Sequence, residues 1–200
     1  LEDSMGVGNF FGLMPADLRQ GAFLTGIELD SITARIAKQL YQKARIIGPM
    51  GFEDVNLADN TFNLNVGNPP FGKGTPYDKN SKHLNGFTTH NFFFAKAIDK
   101  LAPGGLHIQV VSRYLMDAET NPARDYIAHR AELIGAIRLP WTAFYSNAGT
   151  EVVTDIIVLQ KLREEDWGTA DDSWTKTTMI RDPLGGEDMR INQYYADHMD

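Results

Sequence analysis

The chain has 200 residues, of which 42% are hydrophobic and 10% aromatic, enough to bury one core. No apolar run approaches the roughly 20 residues of a membrane-spanning helix and no secretion signal opens the chain, so we expect a soluble, cytoplasmic protein. The absence of cysteine excludes disulfides and thiolate metal sites, and the scattered histidines predict no metal site. A net charge of −7 argues against a free-standing nucleic-acid binder, which needs clustered lysine and arginine.

The first 115 residues alternate between predicted strands and helices, which is typical of a mostly parallel sheet covered by helices. A strand is predicted over 23–29, followed by a helix capped by Asp30 or Ser31. The helix is expected to bury one stripe, because apolar residues recur at a spacing of four at Ile32, Ile36 and Leu40.

A further strand is predicted over 62–67, where apolar residues alternate with asparagine, and it ends at Asn68. Residues 72–90 have little apolar content, and a loop of this length is usually functional or disordered. The elements predicted next are a helix over 91–101, a turn at 103–105 and a strand over 106–111.

In the second half, Asn121 and Pro122 predict a helix start, and that helix runs to about residue 131. The apolar runs 133–139 and 152–159 are close in sequence and are predicted to pair antiparallel, so that the parallel sheet ends in a hairpin. Beyond residue 163 the composition becomes acidic and polar. We therefore predict one domain over 1–163, and a linker or the start of a following unit over 164–200.

Two glycines near the start, Gly6 and Gly8, lie where a first strand would pass into a helix. Glycine lets a backbone approach a ligand closely, although a G-x-G pair alone is more often an ordinary turn. Glu28 follows about twenty residues later at a strand end, where a carboxylate can accept hydrogen bonds from ribose hydroxyls. Together they indicate a nucleoside-containing cofactor, with an exposed strand-end acid as the alternative.

Asn68, Pro69, Pro70 and Phe71 follow the strand predicted over 62–67, at the edge where open α/β sheets bind ligands. A proline-stiffened loop with a core phenylalanine explains the two prolines. It does not explain an amide acceptor, a rigid backbone and an aromatic ring placed together at this edge. We interpret the tetrapeptide as a catalytic turn.

These motifs resemble those of the amino-group methyltransferases, above all the N6-adenine-specific DNA methyltransferases. The resemblance covers residues 1 to about 162 and rests on Asn-Pro-Pro-Phe, preceded by Glu-x-x-x-Gly-x-Gly and by Gly-Ile-Glu-Leu-Asp. It implies a Rossmann-like class I S-adenosylmethionine-dependent fold with a mostly parallel seven-stranded sheet and a C-terminal antiparallel hairpin. The chain does not begin with methionine, and we expect it to be N-terminally truncated.

A narrower resemblance is to the phage and mobile-element anti-restriction proteins that fuse such a methyltransferase to a helicase. Other domains of a larger parent polypeptide are therefore expected as partners. The cofactor motif precedes Asn68 by about sixty residues, so DNA recognition elements are expected after the catalytic core or in another chain.

The resemblance implies methyl transfer from S-adenosylmethionine to the N6 amino group of a flipped-out adenine in DNA. Asn68 and the Pro69 carbonyl would accept the two amino hydrogens, in a turn completed by Pro70. Phe71 and Phe144 would stack on the base, although Phe144 is as readily a core residue of a hairpin. The cofactor-binding residues that it implies are Glu2, Ser4, Gly6, Gly8, Glu28, Leu29, Glu53 and Asn68.

The predicted loop over 72–90 supplies the candidates for DNA phosphate contacts, which are Lys73, Lys79 and Lys82. The commoner interpretation of such residues is a solvated loop.

The chain also departs from the family pattern. Asp3 stands where proline is usual, Met5 where a small residue or cysteine is common, and Asn63 where aspartate is frequent, which leaves room for weakened cofactor binding. Methyl transfer to RNA adenine or to protein glutamine is an alternative, as is a catalytically inactive methyltransferase-like DNA-binding module. A nicotinamide dehydrogenase would explain the glycine pair and Glu28 but gives no role to the Asn-Pro-Pro-Phe turn.

Overall fold

A computed structural model of the chain describes residues 1–72, 74–145, 149, 151–181 and 185–199. Within these residues the helices are α1 (Asn9–Leu13), α2 (Ala16–Gly21), α3 (Ser31–Leu40), α4 (Thr89–Lys100), α5 (Tyr114–Asp117), α6 (Pro122–Ala128) and α7 (Gln193–Asp197). The strands are β1 (Thr25–Ile27), β2 (Arg45–Ile47), β3 (Phe62–Gly67), β4 (Leu101–Ser112), β5 (Ala131–Arg138), β6 (Thr154–Lys161), β7 (Thr177–Ile180) and β8 (Met189–Asn192). None of the helices in these ranges has both the length and the apolarity that crossing a membrane requires.

The strands form a parallel pair, β1 with β2, and a four-stranded sheet in the order β3-β4-β6-β5. In the larger sheet β3 and β4 are parallel, whereas β6 runs antiparallel to both β4 and β5. The predicted antiparallel pairing of 133–139 with 152–159 is confirmed. A separate hairpin joins β7 to β8.

The first five residues connect the parallel pair to the larger sheet. On one side, the Glu2 amide donates to Thr25 O at 3.0 Å and the Ile27 amide donates to Glu2 O at 2.9 Å. On the other side, the Val66 amide donates to Leu1 O at 3.0 Å. The segment is therefore a central element, with β1 and β3 as its two neighbours.

The predicted count of seven mostly parallel strands is not confirmed. Residues 1–5 form only one isolated bridge, Glu2 with Gly26, and the larger sheet is mixed. The fold is nevertheless α/β, as the alternation of elements predicts.

Several predicted boundaries shift by a few residues. The strand predicted over 23–29 is limited to Thr25–Ile27, and Phe23 is fully exposed. The turn predicted at 103–105 lies inside β4, where the register with β3 shifts and Gly104 has a φ of 79°. The chain therefore forms a bulge within one strand at these residues, where a turn between two elements was predicted.

The buried stripe predicted for α3 is wrong. Ile32, Ile36 and Leu40 are 65%, 45% and 61% exposed, whereas Ala34 and Ala37 are completely buried. The alanine face packs toward the sheet because small side chains allow a close approach. The predicted cap is correct, since the Asp30 carboxylate accepts a hydrogen bond of 2.8 Å from the Thr33 amide.

The main hydrophobic core lies between the larger sheet and the helices α4 and α6. Residues 92–100 of α4 are all buried, which is typical of a helix that is covered on every side. Trp174 and Tyr195, from the segment predicted as a linker, join this core at 2% and 8% exposure. The division of the chain at residue 163 stays a prediction.

Candidate active site

The two glycines of the turn after the first segment have different structural roles. Gly6 has a φ of 55°, and its amide donates to Glu28 Oε2 at 2.8 Å. Gly8 has a φ of 83°, and a Cβ at this position would lie 2.5 Å from Tyr41 Cε2. The Tyr41 hydroxyl also donates to Gly8 O at 2.6 Å. Packing of Tyr41 against the turn therefore explains Gly8 without a ligand.

A cavity of about 560 Å³ opens at the carboxyl ends of the first segment, β1 and β3. It brings together six of the residues predicted to bind ligands, which are Ser4, Glu28, Leu29, Glu53, Asn68 and Pro70. Gly6 contacts this set through Glu28. We call this space the first cavity.

Glu28 is fixed at one end of the first cavity by two backbone amides. Its Oε2 accepts from the Gly6 amide, and its Oε1 accepts a hydrogen bond of 2.7 Å from the Asp30 amide. Each carboxylate oxygen can accept a second hydrogen bond. Glu28 is therefore oriented for a ligand hydroxyl before a ligand arrives.

Glu2 does not line the first cavity. Its side chain is 2% exposed, and its Oε2 has no hydrogen-bond partner among the described residues. Burial raises the pKa of the Glu2 carboxyl to about 8, so that the group is mostly neutral at pH 7. The structure therefore buries this predicted cofactor-binding residue beside the cavity wall.

The Asn-Pro-Pro-Phe turn lies at the end of β3. The Asn68 carbonyl accepts a hydrogen bond of 3.1 Å from the Ser4 hydroxyl, which ties the turn to the first segment. The Asn68 side chain is exposed and forms no hydrogen bond with the described residues. Its amide is therefore available to a ligand.

A second cavity, of about 520 Å³, lies on the other side of Asn68. The described residues that line it are Asn68, Phe71, Ser112, Arg113, Tyr114, Phe144, Val152, Val153 and Thr154. Phe71 and Phe144, which are 73 residues apart in sequence, are thus brought to one space beside Asn68. We call this space the second cavity.

The ring of Phe71 stacks on the imidazole of His90. The two rings of Phe71 and His90 stack, with centroids 5.0 Å apart and an interplanar angle of 24°. The Ser112 amide donates to His90 Nε2 at 3.2 Å, and burial lowers the pKa of His90 to about 4. The imidazole is therefore neutral at pH 7, with its proton on Nδ1, and it fixes the plane of Phe71.

The loop between β3 and α4 is anchored by Asp78. This side chain is fully buried, pairs with Lys96 at 2.6 Å and accepts hydrogen bonds from the amides of Asn80 and Ser81. Lys79 and Lys82 are exposed, and Lys73 lies outside the described residues. The alternative of a disordered loop is wrong for its described part.

Sequence analysis missed several residues of the two cavities. No local motif marks four of them, which are Thr75 and Pro76 from the loop, Met50 before Gly51, and Tyr114 at the start of α5. Asp3, which departs from the family pattern, also lines the first cavity. Within the ranges described, no group of three or more histidine, aspartate or glutamate side chains is arranged to hold a metal ion.

None of the protein-family models matches the chain. The chain is 28% identical over 164 residues to the defense against restriction protein B of Escherichia phage P1, which covers 80% of this chain. It spans about 7% of the length of that relative.

Solved structures with a similar fold include methyltransferases. A putative class I S-adenosylmethionine-dependent methyltransferase from Listeria monocytogenes has a TM-score of 0.65 at 19% identity, covering 82% of this chain and 53% of that one. A modification subunit of a putative type I restriction enzyme from Vibrio vulnificus has a TM-score of 0.62 at 16% identity, covering 80% and 39%. The type I restriction enzyme EcoKI M protein has a TM-score of 0.61 at 19% identity, covering 85% and 42%. The chain therefore has the fold of the class I S-adenosylmethionine-dependent methyltransferases.

Proposed function

We propose that the chain is the catalytic core of an S-adenosylmethionine-dependent methyltransferase that modifies the N6 amino group of a flipped-out adenine in DNA. The observation that carries the proposal is the position of Asn68, which lines both cavities. A methyl donor in the first cavity and a base in the second would meet at this residue. Such positioning of two reactants is a large source of rate enhancement.

The first cavity suits S-adenosylmethionine in size and in chemistry. Its volume of about 560 Å³ lies within the usual range for small-molecule sites. Glu28 would accept the ribose hydroxyls, Leu29 would cover one face of the adenine, and Glu53 would accept from the adenine amino group. When bound, the cofactor supplies an electrophilic methyl group.

The second cavity suits a planar base. The Asn68 side-chain oxygen and the Pro69 carbonyl would accept the two amino hydrogens, which favours a tetrahedral nitrogen with a free lone pair. Stacking on Phe71 and Phe144 at about 1–3 kcal/mol per base would offset much of the few kcal/mol that base flipping costs. Two phenyl rings beside a space of about 520 Å³ favour a base over the smaller amide of glutamine.

Contacts to DNA phosphates in this chain would be local, because the net charge is −7. Arg113 at the second cavity and the exposed lysines Lys79 and Lys82 are the described candidates, and Lys73 completes the predicted set. Further phosphate contacts and the recognition of the DNA sequence would come from other domains of a larger parent polypeptide. The names of the relatives, modification subunits of type I restriction enzymes and a phage protein acting against restriction, support DNA as the acceptor.

The experiment is a transfer assay with methyl-labelled S-adenosylmethionine and three acceptors in parallel: unmethylated genomic DNA, RNA and a glutamine-containing peptide. We expect label in DNA, recovered as N6-methyladenine, and its loss in Asn68→Ala. Asn63→Ala is the matched control, because Asn63 is an exposed asparagine of β3, the strand that ends just before Asn68, and it lines neither cavity. Equal transfer by Asn68→Ala and wild type, or label in the peptide alone, would overturn the proposal.

A further inference from the structure

Asp3 is a buried carboxylate of the first segment, which lies between β1 and β3. Its side chain is 1% exposed, and its Oδ2 accepts hydrogen bonds from Asn65 Nδ2 at 3.2 Å and from Gln109 Nε2 at 2.5 Å. Both donors are neutral amides, and both are themselves buried. They orient the carboxylate without cancelling its charge.

The described residues give Asp3 no cationic side chain as a partner. None of their ion pairs joins a lysine, arginine or histidine to it. A buried charge is costly unless an opposite charge lies close to it. In agreement with this cost, burial raises the pKa of the Asp3 carboxyl to about 6. The Leu1 ammonium donates to Leu64 O, and its charge lowers the pKa of Asp3 without bringing it back to the ordinary value. The site therefore favours a ligand that brings a further positive charge.

The second oxygen of Asp3, Oδ1, lies beside the residue that precedes the Asn-Pro-Pro-Phe turn. A Cβ placed on Gly67, the residue before Asn68, would lie 3.0 Å from Asp3 Oδ1. The Ser4 hydroxyl can donate to this oxygen, at 3.5 Å, or to Asn68 O, at 3.1 Å. Asp3, Ser4 and Asn68 all line the first cavity, so the negative charge is next to the place where a methyl group would be transferred.

We propose that Asp3 is the counter-charge of the cofactor's sulfonium and makes the first cavity bind S-adenosylmethionine more tightly than S-adenosylhomocysteine. This inference rests on the proposed function, which places the sulfonium in line with the amino group held by Asn68. Transfer of the methyl group leaves the bonding electron pair on sulfur, so the product is a neutral thioether. The attraction to Asp3 is then lost, which favours exchange of product for fresh cofactor.

The test is calorimetric titration of the chain with S-adenosylmethionine and with S-adenosylhomocysteine. We expect the wild type to bind the cation about tenfold more tightly, the effect of one unit charge several ångströms away at an intermediate effective dielectric constant. Asp3→Asn keeps the shape of the side chain and removes its charge. It should weaken S-adenosylmethionine about tenfold and leave S-adenosylhomocysteine unchanged.

Leu29→Ala is the matched control, because Leu29 would cover the adenine that both ligands share and its replacement changes no charge. It should weaken both by the same factor and keep their ratio. A measurement that does not depend on the variant uses wild type and sinefungin, which carries an ammonium group in place of the sulfonium and should also bind more tightly than S-adenosylhomocysteine.

Equal wild-type affinities for the cationic and neutral ligands, or an unchanged ratio in folded Asp3→Asn, would overturn the role of Asp3 and leave the proposed function intact. The absence of saturable binding by all three ligands would instead overturn the proposed function, and the role of Asp3 with it.

Discussion

Lys96 and Asp78 form an ion pair of 2.6 Å inside the protein, with side-chain exposures of 1% and 0%. The same ammonium donates to the backbone carbonyls of Phe52 and Val55, at 2.5 Å and 3.1 Å. Phe52 and its neighbours form one wall of the first cavity, and the loop that precedes Asp78 forms another. One buried lysine of α4 therefore connects two walls that are far apart in sequence.

Replacing this lysine should destabilise the protein strongly. Lys96→Met leaves the Asp78 carboxylate buried without a counter-charge, and we expect the free energy of unfolding to fall by about 3–5 kcal/mol. Urea denaturation of both proteins at pH 7 measures this difference in the free energy of unfolding. Lys100→Met is the control, because its partner Asp59 is 60% exposed and stays hydrated, and the expected loss is under about 1 kcal/mol. Similar losses in both variants would contradict the role of the pair.

The glycine turn makes a second prediction. Gly8→Ala forces a side chain into a left-handed backbone conformation and against the Tyr41 ring, and we expect it to cost about 2 kcal/mol of stability. Gly21→Ala, at the exposed end of α2, is the matched control, because a Cβ there meets nothing within 4 Å. It should be neutral or stabilising by under about 1 kcal/mol. Equal thermal midpoints for both variants would refute the explanation of Gly8.

The Asn-Pro-Pro-Phe turn and the Asp30 cap were predictable from sequence because they depend on local interactions. The buried face of α3 was not predictable, because it depends on packing against the rest of the fold. The Asn-Pro-Pro-Phe motif and the Asp30 cap act within a few residues, so their pattern carries the structure. The stripe of α3 failed because a spacing of four identifies an apolar face without saying that the face is covered. In this protein the alanine face of α3 is the buried one.

The family resemblance predicted several residues of the two cavities, but local patterns alone could not show how the walls meet, because the walls come from separate parts of the chain. Phe144 comes next to Phe71 only through the position of β6 between β4 and β5. Asp3 is a departure from the family motif, and its neighbours Asn65 and Gln109 lie on two different strands. No local pattern joins these three residues.

The buried His90 predicts a change of stability with pH. Its pKa is about 4 in the folded protein against 6.5 ordinarily, because burial disfavours the charged ring. Between these values the unfolded chain binds the proton and the folded chain does not, so stability is lost as pH falls from 6.5 to 4. The loss from this group is on the order of 3 kcal/mol.

His90→Gln isolates this contribution, since glutamine can still accept from the Ser112 amide but does not titrate. Between pH 6.5 and pH 4 the wild type should lose on the order of 3 kcal/mol of unfolding free energy relative to the variant. His107 is also buried with a lowered pKa, but it is present in both proteins and cancels. Parallel stability curves for the two proteins would show that His90 does not titrate in this way.

The segment after residue 163 is attached to the core through Asn192. Its side chain donates to the carbonyls of Met116 and Trp174 at 2.8 Å and 2.7 Å, and its own amide donates to Asp117 at 2.9 Å. Trp174 is 2% exposed within the main core. These contacts predict that the core depends on the segment for part of its stability.

A chain that ends at residue 163 should therefore unfold at a lower urea concentration than the whole chain. Removing Trp174 and Tyr195 uncovers apolar surface worth roughly 5 kcal/mol at about 25 cal/mol per Å², and it leaves Met116 O without its donor from Asn192. Asn192→Ala is the milder comparison: it keeps both rings but breaks the two buried hydrogen bonds and the cap of α7, in which Asn192 Oδ1 accepts from the Tyr194 amide, for an expected loss of about 2–4 kcal/mol. Identical urea midpoints for the short and the whole chain would instead place a true domain boundary at 163, because a linker contributes nothing to the stability of the unit before it.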